Sequence, residues 1–260
     1  MENNRTSTKP TLEVSLALSG GAARGTFHLG FIEALNENNV AIKAISGSSA
    51  GALVGGAISC AIPPREILKI FKSKNFKKIF KFTWFSKGIF KIDLESRVLD
   101  KLFLFENLNQ TKIPLFVCVT DLDNHKSLHV NQGDPKKLIC SSCALVPIFQ
   151  PIFYDNIVMA DGGILDLMPV KPLTQYKYKI IGINIMTSLK PQKYTFKTLT
   201  KRMLEIITST NLNQSIKKCD WYIAPKEISK FKMFSFKELE KGFDLGYTYG
   251  QKWCKENIKD

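Results

Sequence analysis

Gly47-Ser48-Ser49-Ala50-Gly51 places a serine between two glycines in the pattern G-x-S-x-G. That pattern suits a nucleophile elbow, a sharp strand-to-helix turn that lifts a serine hydroxyl clear of the backbone. The spacing selects Ser49, because Gly47 and Gly51 stand two residues to either side of it. Ser48 has Ser46 and Ala50 at the same offsets. The chemistry implied is attack of a serine oxygen on an acyl carbon, which requires a base to take the proton.

Histidine is the usual base, and the chain has three: His28, His125 and His129. None follows the last strand-like runs, where a Ser…Asp…His triad of the α/β-hydrolase order would place its histidine. Asp161-Gly162-Gly163 offers another base. It follows the apolar run Ile157 to Ala160, so Asp161 is expected at the C-terminal end of a strand, with Gly162 and Gly163 permitting a tight turn. An ordinary aspartate, with a pKa near ~3.9, is too acidic for this work, and burial would raise it. Read alone, Asp161 is equally well a turn residue.

Ser19-Gly20-Gly21-Ala22-Ala23-Arg24-Gly25 lies between the first strand-like run and the first helical one. A dinucleotide fingerprint would need glycine where Ala22 stands, and a P-loop would need lysine where Thr26 stands. What remains is an oxyanion hole or a plain strand-to-helix turn. In an oxyanion hole, N–H groups of Gly20, Gly21 and Ala22 at a helix start would face developing negative charge, and Arg24 would hold the loop or add positive potential.

These motifs need a frame. Val14–Leu18, Ala41–Ile45, Leu115–Val119, Ile157–Met159 and Ile180–Ile185 read as buried strands, with Leu128–Val130 as a hairpin neighbour across Asp123-Asn124. Helices are expected around Phe27–Leu35, over Ala50–Cys60, and over 64–73, 93–103, 135–144, 197–217 and 236–256. Strands alternating with helices predict an α/β fold, a three-layer α/β/α sandwich on a mostly parallel sheet. We expect residues 1–10 to be a disordered N-terminus and 11–260 to form a single domain.

The three ordered motifs give the chain a family likeness. It resembles the patatin-like phospholipases in their short bacterial form, through Gly20–Gly25, Gly47–Gly51 and Asp161-Gly162-Gly163. Flanking stretches agree: Gly25-Thr26-Phe27-His28-Leu29-Gly30, Cys143-Ala144-Leu145-Val146-Pro147 and Met168-Pro169-Val170. The likeness covers roughly residues 12 to 190. It implies a catalytic Ser49–Asp161 dyad without histidine, an oxyanion hole from the Gly20–Gly25 loop, and hydrolysis of phospholipid or lysophospholipid acyl esters. It implies no cofactor and no metal. Two positions depart from the family pattern: Ser19, where many members carry glycine, and Asp166, where asparagine is common.

The net charge of +14 favours phosphate-bearing partners. Residues 69–91 carry eight lysines, seven aromatics and no acid, which suits contact with an anionic membrane. The rival reading is a helix pair with phenylalanines in the core and lysines in solvent. A nucleic-acid partner lacks a supporting motif. The six cysteines, scattered in apolar contexts, read as reduced thiols. With no secretory signal and no apolar run near the roughly 20 residues a spanning helix needs, the expected location is cytoplasmic, at most peripheral to a membrane. An acyltransferase or thioesterase using the same dyad, and a membrane-binding regulatory protein with little turnover, are the alternatives to a hydrolase.

Overall fold

The computed structural model describes residues 10–84, 87–187 and 193–258. Most of the N-terminal tail expected to be disordered, residues 1–9, lies outside them. The frame is a sheet in the order β10 (Trp221–Ile223), β9 (Lys179–Ile183), β1 (Leu12–Leu18), β2 (Val40–Ser48), β5 (Leu115–Asp121), β8 (Ile157–Asp161), β7 (Ile152–Tyr154), with β6 (Lys126–Val130) also on β5. From β10 to β5 the strands run parallel; β6 and β8 run antiparallel to β5. The predicted mostly parallel sheet is therefore present, with an antiparallel edge. A separate ribbon pairs β3 (Phe80–Phe82) with β4 (Phe90–Ile92).

Three strands meet on β5. β6 covers one edge of it from Val117 to Asp121. Both β2 and β8 must then lie along the other edge. β2 occupies its first half, ending with Ser48 opposite Cys118, and β8 its second half, ending with Asp161 opposite Val119. The two strands run toward one another and stop at neighbouring residues of β5. The position of Asp161 is set by the hairpin that β8 makes with β7. Its two-residue turn, Asp155-Asn156, has φ of 51° and 59°, the left-handed pair of a type I′ turn, which fixes register.

Alternation along the strands explains why one face of the sheet is heavier. Val14, Leu16 and Leu18 of β1 and Val117 and Val119 of β5 point into a large core with helices α1 (Thr26–Glu37), α2 (Ala50–Ser59), α3 (Pro64–Lys72), α5 (Arg97–Leu102), α6 (Pro135–Ser142) and α9 (Leu239–Asn257). Between α3 and β3 runs a single turn, α4 (Lys74–Lys77). Ala17, Ala44 and Phe116 point the other way, onto a thinner layer made by Met168, Val170, Leu173 and α8 (Leu212–Ile216). The remaining helix, α7 (Phe196–Ser209), is separate from α8, so the long helix expected over 197–217 is two. The helix expected over 93–103 forms only at its C-terminal part, because Asp93 to Ser96 turn before it.

The helix pair considered for 69–91 is not what forms. α3 ends at Lys72, α4 is one turn, and the rest is the β3–β4 ribbon, where Phe and Ile alternate with Lys. Trp84 is described; Phe85 and Ser86 lie outside the described residues.

Candidate active site

Ser49 stands between β2 and α2 with φ 52° and ψ −119°, a conformation that costs a non-glycine residue on the order of 1–3 kcal/mol. The flanking glycines are there for space. A Cβ on Gly47 would lie 2.4 Å from the Gly51 backbone, and one on Gly51 2.1 Å from the Leu18 carbonyl oxygen. The strained residue is clamped on both backbone groups. Its N–H donates to the Ser142 hydroxyl at 2.8 Å, and its carbonyl accepts from the Cys143 thiol at 3.3 Å. Ser142 in turn donates to the Cys118 carbonyl at 2.6 Å. As N-cap of α2, Ser49 also sits at the positive end of that helix dipole.

Asp161 ends β8 and is only 5% exposed. Its carboxylate accepts the N–H of Gly163 at 2.8 Å, and the Ser49 side chain lies close enough to act on its charge. Its backbone is held as firmly, with its N–H on the Ala144 carbonyl at 3.0 Å and its carbonyl receiving the Thr120 hydroxyl at 2.8 Å. Burial pushes the carboxyl up to about 7, against the lowering effect of the neighbouring Ser49 side chain and the Gly163 N–H. A carboxylate so placed takes a proton near neutral pH, which an ordinary aspartate does poorly.

The glycine loop lies directly against this pair: a Cβ on Gly20 would be 3.1 Å from the Ser49 Cβ. The donors expected of it divide. Gly20 spends its N–H on the Leu167 carbonyl at 3.2 Å, and Ala23 on Met233 at 2.7 Å. The N–H groups of Gly21 and Ala22, at the start of the 3-10 turn Ala22–Gly25, donate to no acceptor among the described residues. Arg24 is buried behind the loop. Its guanidinium donates to the carbonyls of Ile185, Thr187, Ser229 and Phe231, so it ties the loop to two other segments and does not face the serine. Gly25 packs on Ala50, and Gly162 on the Cys118 backbone, joining the loop to α2 and the Asp161 turn to β5.

The three histidines take other places. His28 is fully buried and donates from Nε2 to the Ser19 carbonyl at 3.0 Å, while burial drives its pKa down to about 4. His129 Nε2 lies 2.9 Å from Asp166 Oδ2, which gives the unusual Asp166 a partner on β6. His125 sits at the β5–β6 turn with φ 54°.

Ser49 and Asp161 open on a cavity of about 450 Å3, within the usual size of small-molecule sites. Its walls are apolar: Leu53 and Val54 of α2, Phe71, Phe76, Phe80, Phe90, Phe149, Phe236 and Leu239. Four of the seven aromatics of the basic segment thus line this cavity. Only Phe82 and Trp84 among its described aromatics are exposed. Lys69, Lys72 and Lys81 pair with Glu66, Glu240 and Asp93. The segment expected to meet a membrane is in large part cavity wall. Ser142 and Cys143 escaped notice as site residues because nothing in their spacing distinguishes a clamp from a helix end.

A mostly parallel sheet with flanking helices, a strained serine on a strand-to-helix turn and a buried carboxylate beside it at an apolar cavity define an α/β fold of hydrolase type. The chain belongs to the patatin-like phospholipase family, which it matches over residues 16–174. It is 34% identical over 163 residues to an uncharacterized NTE family protein of Mycobacterium tuberculosis, covering 62% of this chain and 45% of that one. It is 26% identical to the lysophospholipase NTE1 of Kluyveromyces lactis, covering 91% of this chain and 19% of the relative. The chain thus spans less than half the length of these relatives. Among solved structures, VipD from Legionella pneumophila shares the fold, with a TM-score of 0.60 at 15% identity over 98% of this chain and 72% of that one. Among the described residues, no helix is long and apolar enough to cross a membrane.

Proposed function

We propose that this chain hydrolyses fatty-acyl esters of phospholipids or lysophospholipids through Ser49 and Asp161. The observation that carries the reading is the strained Ser49 beside a buried Asp161 in the wall of one apolar cavity, with their strands ending at adjacent residues of β5. The cavity receives the acyl chain and brings its ester carbonyl to Ser49. Asp161 takes the hydroxyl proton as Oγ bonds to the carbonyl carbon. The free N–H groups of Gly21 and Ala22 receive the oxyanion; Gly20, with its N–H on Leu167, supports the loop. Collapse expels the alcohol, which takes the proton from Asp161 and leaves an acyl-enzyme. Water then repeats the sequence with Asp161 as base and frees the fatty acid.

A fluorophosphonate probe tests the nucleophile. The wild type should label at Ser49 and the Ser49→Ala variant should not, with fatty-acid release from lysophosphatidylcholine lost in parallel. Equal labelling of the two would remove Ser49 from the reaction.

A further inference from the structure

An ordinary surface helix hides its apolar stripe and shows its polar face. α7 does the reverse. Phe196, Leu199, Met203, Ile206 and Ile207 recur at spacings of three and four, so they share one side of the helix, and they are 88%, 48%, 59%, 57% and 45% exposed. The described residues of the inward side are polar. Thr208 is buried, and Glu205 is half-buried, close enough for its charge to act on Arg24. Nothing among the described residues covers the stripe, and five large apolar side chains in a row on a helix call for a partner.

We infer that the outward stripe of α7 docks the protein on an anionic phospholipid bilayer, seating the cavity mouth at the lipid surface. Two observations select this occupant. The helix that carries the stripe borders the cavity: Thr208 on its inward side lines it, as does Phe234, itself exposed. The charge is also complementary. The sequence from 193 to 205 holds four cations, Lys193, Lys197, Lys201 and Arg202, against one acid, Glu205, which pairs with Arg202, within a chain of net charge +14. A second copy of so basic a protein would be repelled, whereas an anionic headgroup layer is attracted. A helix with an apolar face and cationic surroundings lies in the bilayer interface with that face among the upper acyl chains. The face so assigned is α7, apart from the segment 69–91 expected from the sequence to meet a membrane. Such docking supplies the partner of the proposed hydrolase site and rests on that reading for its purpose.

The test compares the wild type with a Leu199→Glu/Met203→Glu pair and a neutral Leu199→Gln/Met203→Gln pair, all checked for equal melting temperature. Flotation uses vesicles of phosphatidylcholine with and without phosphatidylglycerol, at low and high salt. A short-chain, water-soluble ester is assayed alongside. The expected result is wild-type binding that rises with phosphatidylglycerol and falls with salt, and a loss of about tenfold or more in both pairs. Hydrolysis of the soluble ester should be unchanged. Wild-type protein that binds vesicles through α7 but hydrolyses no ester upholds the docking face and removes the hydrolase reading. Variants that bind vesicles as the wild type does overturn the docking face. So does a wild type whose self-association, not its vesicle binding, is abolished by the substitutions.

Discussion

Ser49 and Asp161 reach each other from two strands that run head to head along the same edge of β5. Ser48 is held opposite Cys118 and Asp161 opposite Val119, so the hydroxyl and the carboxylate meet in the gap between strand ends. In the proposed reaction, rigid pairing on one shared strand would supply the preorganisation that a third residue supplies in a triad.

Asp161 should impose the pH profile. With its carboxyl near 7, the rate of ester hydrolysis should rise with pH to a plateau above that value, since the ionised form is the base. Asp161→Asn should lower kcat by about 10²–10⁴-fold. Stability should move the other way. A folded-state pKa above the ordinary ~3.9 gives a contribution that is full at low pH and lost as pH rises through about 7. The melting temperature of Asp161→Asn relative to wild type should therefore climb between pH 5 and 8. A constant difference would count against the buried carboxylate.

His28 should show the opposite sign. Its pKa, driven below the ordinary ~6.5 to about 4, gives stability that is present above that ordinary value and lost as pH falls toward 4. Imidazole resonances of His28 should report a neutral ring at pH 5.5, where an exposed histidine is mostly charged. Thermal melts of His28→Gln should be less acid-sensitive over that interval.

Ser142→Ala should injure both fold and rate. It leaves the N–H of Ser49 and the carbonyl of Cys118 without their shared partner, at a cost of about 1–3 kcal/mol. The Ser49 backbone loses the acceptor of its N–H. Chemical denaturation should register the first effect, and a lower kcat at unchanged KM the second.

Arg24→Ala should destabilise by about 3 kcal/mol, since one buried guanidinium serves four carbonyls on two segments. Arg24→Lys should recover little, because an ammonium cannot reproduce the planar fork. Differential scanning calorimetry would check both; full recovery by lysine would mean that charge alone matters there.

Much of the site was legible because its parts demand particular residues. The elbow needs glycine at 47 and 51 where backbones nearly touch, and the loop needs small residues against Ser49. Direction and facing were not legible. Apolar alternation over Ile157–Met159 announces a strand but is the same whichever way it runs, so the antiparallel approach of Asp161 had no signature. Interleaved lysines and phenylalanines in 69–91 looked like a membrane face, yet which side of a ribbon meets the core is decided by partners distant in sequence. Spacing alone likewise marked a helix near 197 without telling that its apolar side turns outward. Gly20's N–H was expected on the oxyanion because nothing local announces that Leu167 would claim it.

The hairpin turn Asp155-Asn156 has a reach that its place on the rim conceals. β8 runs five residues from that turn to Asp161, about 17 Å of strand. Its φ-positive pair acts as a stop that determines how far the strand advances toward the end of β2. An added or lost residue there would change the gap between Ser49 and Asp161, with no residue of the cavity altered. The separation of Ser49 and Asp161 is thus a length measured out by a surface loop, and natural or engineered variation in that loop would reset it from a distance.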